Sequence, residues 1–438
     1  MHQGINKKEI EMAFNLIRNA RVFFTTNVNS YGVINDGAVT PFSATNTQEI
    51  QVLDGFSFSQ NTTAETVTLN EAGDAPNRGQ RNFNTALEPV DFSFSTYIRP
   101  RDGNTGTSGI VIADAEEKVL WNAMFGYGAI GATGAAWTAG TAGTSGTYAT
   151  SGTAGSAGQY FTTATAPVVA LGNSAKNQLQ PFGLIICFDD NTFFIDNCVM
   201  DTGTMDFGLD TIANVQWAGK GGSIRTFAKT AITDNSTAGT SGVAASGTSG
   251  GSASIFIGAT KLKDTSAAYL ANKLSTLTLF SGINGTGGTS GTAGKYSIAL
   301  TGGSLTFANN VSYLTPANLG VVNTPITYFT GTRAVSGSIN AYLRTGTGSA
   351  TALLNDLLVA SKTDVNPAFN LTISVGGAPT ASTRVDLLMP ACVLTIPSIA
   401  TEQVISTTIN FTAQGSASNA FGIENNNEIQ IKYFCADT

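Results

Sequence analysis

The chain matches itself. FSFSTYIR at Phe92–Arg99 is similar to GSINAYLR at Gly337–Arg344, 245 residues further on, with Ser93, Ser95, Tyr97 and Arg99 falling on Ser338, Asn340, Tyr342 and Arg344. FSFSQN (Phe56–Asn61) matches LTFANN (Leu305–Asn310) at a spacing of 249. FNLIRNARVFFTTNVN, from Phe14, matches YLANKLSTLTLFSGIN, from Tyr269, at 255. A helical pattern follows in both places, EEKVLWNAMF and SATALLNDLLVA; then NCVM (Asn197–Met200) meets ACVL (Ala391–Leu394) at 194, and ANVQWAGKG resembles TTINFTAQG. Each match is short, and β sequences rich in Ser, Thr and Gly resemble one another trivially. The fixed order, with a helix at the same place in each series, argues for two copies of one domain of strands and helices. Two copies are too few for a solenoid.

The strands are written in alternation. In VDFSFSTYIRP (Val90–Pro100), Phe92, Phe94 and Ile98 share one face, and Ser93, Ser95, Tyr97 and Arg99 share the other. One face is apolar and one is wet, as in a half-buried sheet. IQVLDGFSFSQ (Ile50–Gln60) alternates too, VFFTTNV (Val22–Val28) reads as a strand, and FGLDTIANVQWAG (Phe207–Gly219) as a further strand region. LIICFDDNTFFIDNCVM (Leu184–Met200) reads as a hairpin about Asp189–Asp190–Asn191. Helices are predicted over Asn6–Arg21, with a capping-box pattern at Asn6 and Glu9, over Ala115–Gly126, and over Ser349–Ala360. The polar stretch Asn61–Pro89 reads as a long loop of the kind that is usually functional. Three segments, about 132–165, 235–254 and 285–294, are Thr/Ser/Gly/Ala-rich without apolar period and read as surface loops or linkers. The domain expectation is therefore 1–234 with an insertion at about 132–165, a linker at 235–254, and 255–438.

Composition narrows the function. The 438 residues carry 22 Lys+Arg against 29 Asp+Glu, a formal charge of −7, which is a poor basis for holding nucleic acid by phosphate neutralisation. The single histidine, His2, removes Ser-His-Asp triads, Cys-His dyads and the common zinc sites. The four cysteines, Cys187, Cys198, Cys392 and Cys435, form no C-x-x-C motif and read as buried thiols, although Cys187 and Cys198 could meet across their hairpin. No secretory h-region and no apolar run of spanning length is present, so the expectation is a protein made in a cytoplasm.

The motifs that could carry chemistry are incomplete. Asp189, Asp190, Asp196, Asp201, Asp206 and Asp210 lack calcium-loop spacing and read as turn and strand-edge aspartates. AGKGGS (Ala218–Ser223) lacks the P-loop spacing and reads as a turn. Glu116 and Glu117 begin a helix, where negative charge is favoured in any case. No nucleophile–base pair can be nominated, and the chain reads as a non-enzyme without cofactor or metal.

NTQEIQVLDGFSFSQ and NEAGDAPNRGQRNFNTALEPVDFSFSTYIRP resemble the N-terminal half of the tail tube (major tail) proteins of long-tailed bacteriophages. FANNVSYLTPANLGVVNTPITYFTGTRAVSGSINAYLRTG and RVDLLMPACVLTIPSIATEQVISTTINFTAQG resemble that family's C-terminal half. The resemblance implies a mainly β fold, a β-sandwich or open barrel with flanking helices, present here as two tandem tube domains. It implies a virion protein whose subunits close into rings, here trimeric and pseudo-sixfold, with a hexameric ring that carries one domain as outer decoration as the alternative; the rings stack into a tube through which genome DNA passes without specific binding. Its partners would be itself and other tail proteins: tape measure, terminator, baseplate or tip, and a sheath where one exists; no membrane is implied. The lumen would be lined by Ser57, Ser59, Ser93, Ser95, Thr306, Asn309, Ser338 and Asn340. Arg99 and Arg344 share that wet face and are expected at strand ends, outside the channel. Arg78 and Arg81 are the candidates for ring-to-ring contact. The competing expectation is a surface-layer or adhesin-like β protein, which should carry an export signal. A glycan-binding β protein would want clustered exposed tryptophans, and Trp121, Trp137 and Trp217 are scattered.

Overall fold

The computed structural model describes residues 20–36, 42, 46–53, 55–67, 81–101, 110–112, 114–115, 117–125, 168–170, 179–188, 191–227, 231–235, 254–258, 269–281, 295–346, 349–363, 368–377, 383–396, 398–400, 405–415 and 428–436. The expected first helix, the Thr/Ser/Gly/Ala-rich insertion and most of the 235–254 linker lie outside these residues.

The strands of the first half are β1 (Arg21–Thr25), β2 (Thr47–Ile50), β3 (Ser57–Ser59), β4 (Thr62–Val67), β5 (Arg81–Leu87) and β6 (Val90–Tyr97). Helix α1 (Lys118–Phe125) follows, then β7 (Phe182–Cys187), β8 (Thr192–Asp206), β9 (Asn214–Gly221) and β10 (Ser223–Phe227). The second half holds β11 (Thr276–Ser281), β12 (Lys295–Ile298), β13 (Leu300–Ala308), β14 (Val311–Leu314), β15 (Thr327–Thr330) and β16 (Ala334–Tyr342). It continues with α2 (Ala350–Thr363), β17 (Ala368–Val375), β18 (Arg384–Leu394), β19 (Ser398–Ala400), β20 (Ser406–Ala413) and β21 (Gln430–Ala436). Short further strands complete the mainly β architecture, which has two α-helices among the described residues.

The long strands β8 and β18 organise two layers. Thr192–Asp196 of β8 lie between β7 and β10, whereas Val199–Met205 pair with β9. The bend between the two parts falls at Asn197, whose φ is 50°. Arg384–Leu388 of β18 likewise lie between β17 and β21, and Cys392–Leu394 pair with β20. Such strands form the corners at which one sheet turns into another. The result is one wide antiparallel sheet, in the order β3–β6–β9–β8–β13–β16–β20–β19, backed by β2–β1–β7–β8–β10 and by β12–β11–β17–β18–β21.

Two register slips recur. Phe182 faces Cys198 and Leu184 faces Ile195, a shift of one residue; Phe369 faces Cys392 and Leu371 faces Met389, the same shift. Against β9 the register of β8 slips between Met200 and Thr202; against β20 the register of β18 and β19 slips between Leu394 and Ser398. An extra residue on one strand leaves its pairing unsatisfied locally and bends the strand.

The core lies between the layers. Phe92, Phe94, Phe182, Trp217, Phe307, Phe411 and Tyr433 are all buried there, together with Trp121 from α1. Trp121 meets Trp217 edge-on at 4.7 Å and Phe307 at 5.5 Å, so the first-half helix packs beneath the line where the two halves meet. Helix α2 buries Leu353 and Leu357 and contacts β12.

Several local expectations are corrected. AGKGGS is mostly strand β9, with Gly222 between it and β10, because Gly219 and Gly221 are needed where neighbouring strands approach closely. Residues 207–213 are not strand; β9 begins at Asn214. Asp196 is no turn or edge residue: it is buried in β8, accepts from Ile34 N at 2.8 Å and pairs with Arg225 at 2.6 Å, which also pairs with Asp36 at 2.6 Å. Cys187 faces Thr192 and Cys198 faces Phe182, at opposite ends of the hairpin, and both are free thiols.

Candidate lumen-facing sheet

The alternation expected in β6 is present: Val90, Phe92, Phe94 and Thr96 are buried, and Asp91, Ser93, Ser95 and Tyr97 are not. Because paired residues point to the same side of a sheet, the register carries that polar side across the molecule. Ser95 faces Gln216, Gln216 faces Thr204, Thr204 faces Thr306, Thr306 faces Ser336, and Ser336 faces Thr412. This row of hydroxyls and amides crosses six strands, three from each half. Its neighbours are alike. Ser57 bonds Ser93 at 2.8 Å, Ser304 bonds Ser338 at 3.2 Å, and Thr408 donates to Asn340 at 2.8 Å.

The halves join at β8 and β13, paired from Thr202 opposite Ala308 to Asp206 opposite Ser304, with the Thr204 and Thr306 hydroxyls 3.4 Å apart. Asp201, at the bulge beside this junction, accepts from Val311 N at 2.7 Å. Charge on the polar face is sparse. Among the described residues of these strands it comprises Asp91, which pairs with Lys220 at 2.8 Å, Asp201 beside that pair, and Asp206 at the end of β8.

Ser57, Ser59, Ser93, Ser95, Thr306, Ser338 and Asn340 therefore share one face. Asn309 does not. It is 4% exposed, and its amide donates to the Met124 carbonyl at 2.8 Å and the Met200 carbonyl at 3.1 Å, tying the end of β13 to α1 and β8. Polarity suggested a wet side chain, but buried backbone carbonyls also need donors. Arg99 also leaves the wet face. It is buried, stacks over the Tyr269 ring and donates to Gln51 at 2.6 Å. Arg344 is exposed in the loop after β16.

The segment read as a loop at Asn61–Pro89 is built as a hairpin arm, β4 paired with β5, whose strands are exposed over most of their length. Strands exposed on both faces carry no alternation, so sequence pattern does not reveal them. Arg81 begins β5; Arg78 lies outside the described residues. A second arm, β14 with β15, rises from the second half, and Leu87 N donates to the Asn323 carbonyl at 2.8 Å to link the two. Phe83 on the first arm and Leu314, Leu319, Val321, Val322, Ile326 and Phe329 on the second are exposed, Leu319 fully at 102%. The sequence reading missed this apolar surface, although the run Leu319–Val322 is a usable signal.

Behind the sheet, Glu117 is buried at the start of α1. Its carboxylate accepts from the Tyr433 hydroxyl and from Arg99 N at 3.3 Å, while Trp121 Nε1 donates to the same Tyr433 oxygen at 2.7 Å. Burial pushes the carboxyl up to about 7, although these hydrogen bonds pull the other way. The group clamps α1 to the C-terminal strand. It also lines a small pocket with Glu49, Gln51, Thr96, Tyr97 and Arg99.

No family model matches the chain. A solved structure, the anti-feeding prophage baseplate, matches 32% of this chain and 87% of its own at 13% identity with a TM-score of 0.21, too low to bear on fold or function. Sequence similarity is stronger. Over 410 residues the chain is 28% identical to the tail tube protein pb6 of Escherichia phage T5, spanning 92% of this chain and 73% of that protein. The chain is a homologue of that phage tail tube protein.

Proposed function

We propose that this chain is the ring-forming subunit of a tail tube. It contributes two tandem tube domains, 1–234 and 255–438, joined through 235–254, to a trimeric, pseudo-sixfold ring. The observation that carries the reading is the pairing of β8 with β13, which makes one unbroken polar face from strands of both halves. The two recurring register slips support the repeat. Among the described residues the sheet ends in edge strands at both sides, an aggregation hazard in a monomer and an asset in a ring, where closure removes the edges. Stacking rings through heterologous contacts gives an open filament.

The polar face turns to the lumen. A sliding polyanion is held by clustered Lys and Arg and released by walls of hydroxyls and amides with a slight negative excess. The hairpin arms, with their exposed apolar side chains and Arg81, make the ring-to-ring contacts, and the same surfaces at the tube ends meet terminator and baseplate or tip proteins. The tape measure and then the genome occupy the bore. Eight strands per chain give 24 in a trimeric ring. At a spacing of about 4.8 Å and a tilt of about 40°, that closes a barrel about 48 Å across between backbones; six chains would give about 96 Å. Electron microscopy of the purified, assembled chain tests the reading. Hollow tubes with the narrower bore and three chains per ring support it, whereas flat sheets or persistent monomers refute it.

A further inference from the structure

We propose that the contact between neighbouring chains in the ring copies the contact between the halves within one chain. β19 pairs antiparallel with β3 of the next chain, with Ser398 opposite Ser59 and Ala400 opposite Ser57. This deepens the ring reading and rests on it.

The template is the observed junction of β8 with β13, in which Thr204 faces Thr306, Met205 faces Leu305 and Asp206 faces Ser304. Register identifies the strand equivalent to each side. On the first side, the slip of β8 against β9 recurs in β18–β19 against β20. Thr204 lies four residues past Met200, the last residue paired before the first slip, and faces Gln216; Ser398 lies four residues past Leu394, the last paired before the second, and faces Thr408. Ser398–Ala400 thus stand where Thr204–Asp206 stand. On the other side, Ser57 faces Ser93, which faces Ala218; Ser304 faces Ser338, which faces Asn410. Ser57–Ser59 thus stand where Ser304–Thr306 stand.

Both strands are edges. Among the described residues β3 pairs only with β6, and β19 only with β20. Each edge is flanked by apolar side chains without full cover: Phe56 and Phe58 are half-buried on one side, and Ile396 and Ile405 are 53% and 44% exposed on the other. Transfer of the template sets Ile399 opposite Phe58 where Met205 faces Leu305, and Ser398 opposite Ser59 where two threonines face each other. The occupant of each edge is therefore a second copy of this chain.

The sequence match of FSFSQN with LTFANN, at 249, would instead set Ser398 opposite Ser57. A slip of two residues keeps every side chain on its face, so alternation cannot distinguish the two registers. Strand pairing gives 247, because β13 and β16 run further than β3 and β6 before their arm begins.

Cysteine pairs in the full-length chain separate the registers, since directly opposed residues lie within disulfide reach. After assembly and mild oxidation, the S398C/S59C chain is expected to form a covalent ladder ending at the closed ring, at least five-fold more than S398C/S57C. T204C/T306C should close within one chain and add no mass. The single variants and the unmodified chain, whose Cys187, Cys198 and Cys392 are buried, should stay monomeric on a denaturing gel. Preferential linking of S398C/S57C, or no linking of either pair in tubes seen by microscopy, overturns this junction and leaves the ring reading standing. Failure of the unmodified chain to form rings or tubes overturns both.

Discussion

At one equivalent pair of positions the two halves of the wide sheet exchange residues. In the first half Phe92 on β6 lies directly opposite Gly219 on β9; in the second half Gly337 on β16 lies directly opposite Phe411 on β20. The match at 245 sets Phe92 against Gly337, and strand pairing then sets Gly219 against Phe411, two residues from the match of ANVQWAGKG with TTINFTAQG, which sets Gly219 against Ala413. A Cβ on Gly219 would run into the Phe92 ring and the Val199 carbonyl oxygen; one on Gly337 would meet the Phe411 ring and the Ser304 carbonyl oxygen. Each half therefore needs one aromatic ring laid across one bare backbone, and the sheet is indifferent to which strand supplies which. What the fold fixes is the volume of the pair.

Breaking that exchange has the largest expected effect. Phe92→Gly removes a buried ring and costs about 3–5 kcal/mol or more. Gly219→Phe with Phe92 retained overfills the site, at about 3 kcal/mol or more. Combined as Phe92→Gly with Gly219→Phe, the first half takes the arrangement of the second, and the two changes should couple by at least about 2 kcal/mol. Denaturant melts of the four chains measure this. Simple additivity would show that the resemblance between the pairs is accidental.

The helices differ more. Helix α2 opens on a half-buried hydroxyl cap, with Ala352 N donating to the Ser349 hydroxyl at 3.5 Å, whereas α1 opens on fully buried Glu117. A carboxyl whose folded value of about 7 lies above its ordinary 4.5 favours folding below pH 4.5 relative to higher pH. That contribution is lost as pH rises towards 7 and is flat beyond, a fall of about 3 kcal/mol. Glu117→Gln should remove the fall and so flatten stability between pH 4.5 and 7. A slope unchanged by the substitution would assign it to other groups.

How much of this was legible depends on whether a residue answers to its neighbours in sequence or in space. The alternation of Val90–Tyr97 is local, and it sorted Phe92 and Phe94 from Ser93 and Ser95. Asn309 was read as wet from its polarity, yet alternation sets it beside Leu305 and Phe307 on the buried side, where the carbonyls of Met124 and Met200, far away in the chain, claim its amide. Glu117 looked like an ordinary helix-start carboxylate because Tyr433 is 316 residues distant. The arms were invisible for the opposite reason: exposed on both sides, their strands carry no period. The pairing of β8 with β13 leaves no mark in composition or pattern.

The arms sharpen the comparison at intermediate scale. The second bears Leu319, Val321, Val322, Ile326 and Phe329 exposed; the first shows Phe83 and Val67 among its described residues. If rings stack arm on neighbour, the second arm carries more of the energy. Leu319→Ser and Phe329→Ser should each weaken stacking by about 1–2 kcal/mol, seen as shorter tubes or free rings at equal protein concentration. Phe83→Ser should do less. Equal effects from both arms would contradict the asymmetry.

The smallest expected energy concerns the face the halves have in common. Ser95 and Thr306 belong to one cross-strand row, the first contributed by β6 and the second by β13. If that row lines the bore around the ring, a lysine at either position places equivalent cations along the DNA path, and the half it comes from should not matter. Each contact that forms with phosphate is salt-dependent. Ser95→Lys and Thr306→Lys should therefore slow genome release about ten-fold at low salt, a penalty of about 1.4 kcal/mol, with recovery as salt rises and with tube yield unchanged. Ser95→Glu and Thr306→Glu control for bulk and should leave release near normal. A slowing by lysine at one position alone would mean that the two halves do not present the same face to the bore. Slowing by glutamate as well would mean that the bore is sensitive to size, with charge secondary.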